Sequence, residues 1–94
     1  MWKELQQKIA ERNSNGSPAR VEWSSDGRDG EGKLTEIKVT GDYVEFFITD
    51  NRPEIGYFTL RSARSVLGII PLDREGGIHI FSHYMGTITI FLNE

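Results

Sequence analysis

The sequence predicts a mainly β fold: an N-terminal helix, then a small bent antiparallel β-barrel of SH3-like or Sm-like type, with an extra C-terminal β-hairpin. Three observations predict it. Apolar residues recur at helical spacing only in the first thirteen positions. From Ala19 onward the apolar residues alternate with period two. In "GKLTEIKVTGDYVEFFITD", residues 32–50, that alternation changes face partway, as it does where a strand bends. The chain of 94 residues, 37% of them apolar, suits one domain (1–94) with a single modest core. Within it we assign the helix to 1–13, barrel strands to 19–72 and the hairpin to 73–94.

Trp2, Leu5 and Ile9 form the apolar stripe of the helix, with Lys3, Glu4, Gln7, Lys8 and Glu11 between them. Three large apolar residues make a narrow stripe. A helix of about three turns is marginal alone in water, so it must dock. Asn13-Ser14-Asn15-Gly16-Ser17-Pro18 ends it. Ala19, Val21 and Trp23 then alternate with Arg20 and Glu22 as a first strand, and "SSDGRDGEG" reads as an exposed turn or flexible loop.

A second strand is expected from near Gly32 and a third from near Asp42. Leu34 differs in parity from Ile37 and Val39, which predicts a β-bulge around Thr35-Glu36. Val44, Phe46 and Ile48 resume strict alternation. A turn at "DNRPE" leads to a fourth strand from Ile55 to Arg61 that sends Phe58 and Leu60 inward. "SARSVLGIIP" suggests one helical turn at Ser62-Ala63-Arg64, then a short strand from Val66 to Ile70 ended by Pro71. After "DREGG", Ile78 and Ile80 alternate with His79, Phe81 and His83. "YMG" turns the chain, and Ile88, Ile90 and Leu92 alternate with Thr87, Thr89 and Phe91.

The element order resembles the Sm-like family, the small barrels of LSm proteins and bacterial Hfq, over residues 1–72. Gly32, Leu34 and Ile37 echo the family's first motif, whose Asp falls on Lys38 and whose Asn falls on Asp42. Leu60 and Arg61 match its second motif, with Ser62 where the family has glycine and Thr40 at its base-stacking position. The resemblance implies a barrel that assembles into rings through edge strands and binds RNA with two loops. In this chain those loops carry Asp42 and Arg61, with Arg64 and a tyrosine beside them.

Composition narrows the chemistry. A net charge of −3 supplies no overall attraction to polyanions. The chain has no cysteine, so disulfides, thiolate nucleophiles and cysteine-ligated zinc are excluded. "MWKELQQKIAERN" is amphipathic and lacks the apolar stretch of a signal peptide. "SVLGIIPL" is far too short to span a bilayer. We expect a cytoplasmic protein with no membrane partner and no cofactor.

His79 and His83 invite a metal or enzymatic reading. In one strand they would lie roughly 13 Å apart, too far for one ion, so we assign no metal ligand. The carboxylates Asp42, Glu45, Asp50 and Glu54 carry no sign of the burial that raises a catalytic acid. No catalytic residue is assigned. Arg52, Arg61, Arg64 and Arg74 near strand ends, with Tyr43 or Tyr57, make a candidate nucleic-acid contact. Tyr43, Phe47, Tyr57, Phe81 and Phe91 share the parity opposite the aliphatic set. Exposed together they would form a large apolar patch, which predicts an interface with a second copy or another protein.

Overall fold

A computed structural model of the chain describes residues 2–72 and 76–93. Among these residues one helix, α1 (Trp2–Ser14), precedes seven strands: β1 (Ala19–Ser25), β2 (Arg28–Thr40), β3 (Tyr43–Asp50), β4 (Tyr57–Ala63), β5 (Gly68–Leu72), β6 (Gly77–Ser82) and β7 (Gly86–Phe91). A 3-10 turn, Arg64–Val66, joins β4 to β5. The turn expected at Asp73-Arg74-Glu75, and Arg74 with it, lies outside the described residues.

All seven strands belong to one antiparallel sheet in the order β4-β3-β2-β1-β7-β6-β5. The barrel expected from the sequence is not closed, because the order ends at β4 on one side and β5 on the other. The sheet nevertheless curls. Ala63 and Gly68, on opposite edges, are five residues apart and so at most about 18 Å. A flat sheet of seven strands would be roughly 29 Å wide. The C-terminal strands are also no appendage: β7 lies between β1 and β6, with Trp23 facing Ile88 and Ile80 facing Ile88 from the other side.

Local geometry explains why β2 can bend. Leu34 faces Ile48 and Glu36 faces Phe47, leaving Thr35 as the extra residue of the expected bulge. The Thr35 hydroxyl donates to the Phe47 carbonyl at 3.0 Å. Helix α1 bonds to carbonyls of β2 beyond Leu34, where the ladder with β1 has ended. Asn13 Nδ2 donates to Thr35 O at 2.7 Å, and Gln6 Nε2 to Ile37 O at 2.9 Å. Leu5 and Ile9 are buried against the sheet, each worth about 1.5–3 kcal/mol of apolar burial. The helix ends where Ser17 N–H donates to Arg12 O and Gly16 N–H to Asn13 O, the paired bonds of a Schellman stop.

The helix covers the aliphatic face, not the aromatic one. Its Trp2 meets Phe46 edge-on, with centroids 6.1 Å apart. Val44, Phe46 and Ile48 of β3 join Val21, Leu34, Ile80, Ile88 and Ile90 in the fully buried core.

Several boundaries differ from the sequence expectation. β4 runs from Tyr57 to Ala63 instead of Ile55 to Arg61, so Ser62 and Ala63 continue the strand, the turn expected at Ser62-Ala63-Arg64 falls at Arg64–Val66, and β5 begins at Gly68 instead of Val66. "SSDGRDGEG" is a tight hairpin: Asp26 and Gly27 both have positive φ (55° and 77°), which fits a two-residue primed turn, and Arg28 already begins β2. Gly30 stays in that strand because the Trp23 indole occupies the space a Cβ would need. Pro71 lies within β5 instead of ending it, which an edge strand tolerates.

Candidate functional site

The two sheet edges differ. β5 carries Pro71, which removes a donor and blunts pairing with another chain. β4, "YFTLRSA", holds no proline, no lysine and no bulge against β3. Two backbone bonds fix which of its groups face outward. Asp50 N–H donates to Gly56 O at 2.8 Å, and Arg64 N–H to Asp42 O at 2.6 Å. These bonds lie at opposite ends of a ladder with unbroken register. Hydrogen-bonded and non-hydrogen-bonded pairs alternate in such a ladder. Phe58, Leu60 and Ser62 therefore bond to β3, whereas Tyr57, Thr59, Arg61 and Ala63 turn their N–H and C=O groups to the open edge.

The outer face beside this edge holds three of the five aromatics expected at an interface. Tyr57 is 85% exposed, Tyr43 is 44% exposed, and Phe47 is half-buried between their levels. Phe81 lies apart on β6, 37% exposed and stacked on His79 at 5.8 Å. Phe91 is not available: it faces Arg20 across the β1–β7 ladder, and the guanidinium lies 3.9 Å over its ring. That cover leaves Phe91 only 5% exposed. The cover came from β7 settling beside β1, which residue parity does not encode.

Of the candidate nucleic-acid residues, Asp42, Arg61, Arg64 and Tyr43 gather at one corner, whereas Arg52 and Tyr57 lie at the other end of the β3–β4 ladder. Arg64 bonds to the Asp42 carbonyl, and the Arg61 guanidinium lies 3.9 Å over the Tyr43 ring. The histidines do not converge. His79 Nδ1 is 2.9 Å from Thr89 Oγ1, while His83 meets Tyr84 in the β6–β7 turn with centroids 5.5 Å apart. No group of three metal-ligating side chains forms among the described residues, and no described helix is long and apolar enough to cross a membrane.

Between the β1–β2 turn, the β3–β4 connection and the inner face of β4 is an open groove of about 440 Å³, which the sequence reading missed. Trp23, Ile55, Phe58 and Leu60 form its apolar wall, and Arg28 and Arg52 its rim. Trp23 and Phe58 meet edge-on at 5.0 Å. Phe58 and Leu60 thus belong both to the groove and to the open strand.

Asp50 anchors the rim. Its carboxylate accepts from Arg52 Nε at 3.1 Å, Arg52 Nη2 at 3.0 Å and Arg52 backbone N–H at 2.8 Å. The Arg52 side-chain bonds, then its backbone bond, hold the carboxyl below its ordinary value of 3.8. Because the folded value is the lower one, the pairing stabilises the fold fully above about pH 4 and is lost as pH falls through the folded value. Asp50→Asn is expected to flatten the acid limb of a Tm-against-pH profile. An acid limb identical to wild type would contradict this role.

Comparisons of the chain with family models, with curated proteins and with solved structures found no match.

Proposed function

We propose that the protein is a non-enzymatic interaction module of the cytoplasm that self-associates through the open β4 edge and the aromatic outer face beside it. The observation that carries this reading is the unguarded edge itself: four consecutive outward-facing donor and acceptor positions with no proline or lysine to block them. Unpaired strand edges of this kind are templates for another strand. The exposed Tyr57 and Tyr43 add apolar area next to the seam. Asp50, whose buried carboxylate is held ionised by Arg52, is unsuited to act as a general acid. Light scattering across a concentration series is expected to give a mass above the 10.7 kDa of one chain. A 10.7 kDa species at every concentration overturns the reading.

A second reading is Sm-like RNA binding at the corner where Arg61 stacks on Tyr43 and Arg64 meets Asp42. It requires salt-sensitive binding of short oligoribonucleotides. Absence of binding at low salt removes it.

A further inference from the structure

We infer that two copies of the chain join by antiparallel pairing of β4 with β4 about a two-fold axis through Leu60, making one continuous sheet. This deepens the self-association reading and rests on it. The bonds across such a seam must come from Tyr57, Thr59, Arg61 and Ala63, the residues that turn their backbone groups outward. A two-fold axis makes the contact self-complementary. With the axis at Leu60, Thr59 of each copy faces Arg61 of the other and Tyr57 faces Ala63. All seven residues of the strand then overlap, and the four outward positions exchange about eight N–H···O bonds. Moving the axis to Thr59 or Arg61 shortens the overlap, and the second choice opposes two arginines, which destabilises a pair.

The side chains on the outer face fit the same register. Tyr43 faces Ala63 within each copy. Across the seam, Tyr57 of the second copy takes the next place in that row, so the small Ala63 lies between two tyrosines. The Arg61 guanidinium already covers Tyr43 at 3.9 Å and stands one position along the strand. The incoming Tyr57, whose ring is 85% exposed in the single chain, would come beside this Arg61–Tyr43 pair, where a guanidinium and aromatic rings attract. On the inner face Leu60 meets Leu60, and Phe58 meets Ser62, which extends the apolar wall of the groove across the axis.

The chain has no cysteine, so single-cysteine variants report the register cleanly. Leu60 would form a non-hydrogen-bonded pair with its own copy, with Cα atoms about 4.5 Å apart, inside the range a disulfide bridges. Under mild oxidation L60C is expected to cross-link nearly completely. T59C should remain unlinked, because its two copies are offset diagonally. As a second variant, T59P removes an outward N–H that bonds nothing within the chain, so circular dichroism should stay folded while light scattering falls to the single-chain mass. A wild-type oligomer with unlinked L60C, with cross-linked T59C or with an oligomeric T59P overturns the β4 register and leaves self-association standing. A wild-type monomer overturns both.

Discussion

Phe46→Ala is expected to destabilise the fold by about 3–5 kcal/mol, the range for removing a fully buried aromatic ring from a core. Phe46 is fully buried at the centre of β3, facing Ile37 on the bulged strand and Leu60 on the edge strand. Its ring is also the surface on which Trp2 rests. Removing it opens a cavity beneath the helix and removes an aromatic pair worth about 0.5–1.5 kcal/mol beyond area. A domain of this size is stable by about 5–15 kcal/mol in total, so the variant should unfold at far lower urea. Equilibrium unfolding followed by tryptophan fluorescence measures the loss. A change below about 1 kcal/mol would mean that Phe46 is not the point where helix and sheet meet.

Gly86→Ala is the second large effect, and two separate causes add. Gly86 begins β7 with a φ of 96°, a conformation that an L side chain resists by roughly 1–2 kcal/mol. A Cβ there would also fall on the Ser24 carbonyl oxygen, a backbone atom in the neighbouring strand. Forcing extra atoms into such a contact costs about 1–3 kcal/mol. The strand cannot simply shift, because Ser25 Oγ donates to Met85 O at 2.6 Å and Met85 N–H donates to Ser82 Oγ at 2.9 Å. Those bonds hold the turn against the end of β1. Thermal unfolding should show a drop of at least several degrees. Wild-type stability would mean that the β6–β7 turn does not lie against β1 as described.

Much of this architecture was legible in the residues because it is local. The helix stripe of Trp2, Leu5 and Ile9, the bulge between Leu34 and Ile37, and the inward set Val44, Phe46 and Ile48 follow from spacing alone. What depended on distant partners was not legible. Parity marks Phe91 as an outward aromatic but cannot show that Arg20 covers it, since that requires β7 to return beside β1. The same return turned an expected appended hairpin into two interior strands and left β4 and β5 as the edges of an open sheet. The run from Ser24 to Gly32 was read as a turn or loop, but its three glycines obscured both the tight turn at Asp26-Gly27 and the start of β2. Strand glycines are unfavourable in general; here a Cβ at Gly30 would fall on the Trp23 ring, and one at Gly32 on the Thr49 carbonyl oxygen. The candidate surface was half legible. Tyr43, Phe47 and Tyr57 were read correctly as sharing a face, whereas the open edge beside them follows from strand order, which no local pattern specifies.

Amide hydrogen exchange along β4, followed at several protein concentrations, tests most directly whether this edge is open and paired by a second copy. The amides of Phe58, Leu60 and Ser62 should be protected at every concentration, because they bond to β3. Those of Tyr57, Thr59, Arg61 and Ala63 should exchange rapidly in dilute solution and slow as concentration rises. Protection of all seven at high dilution would mean that the sheet closes on itself, and rapid exchange of the second group at every concentration would mean that no strand joins this edge.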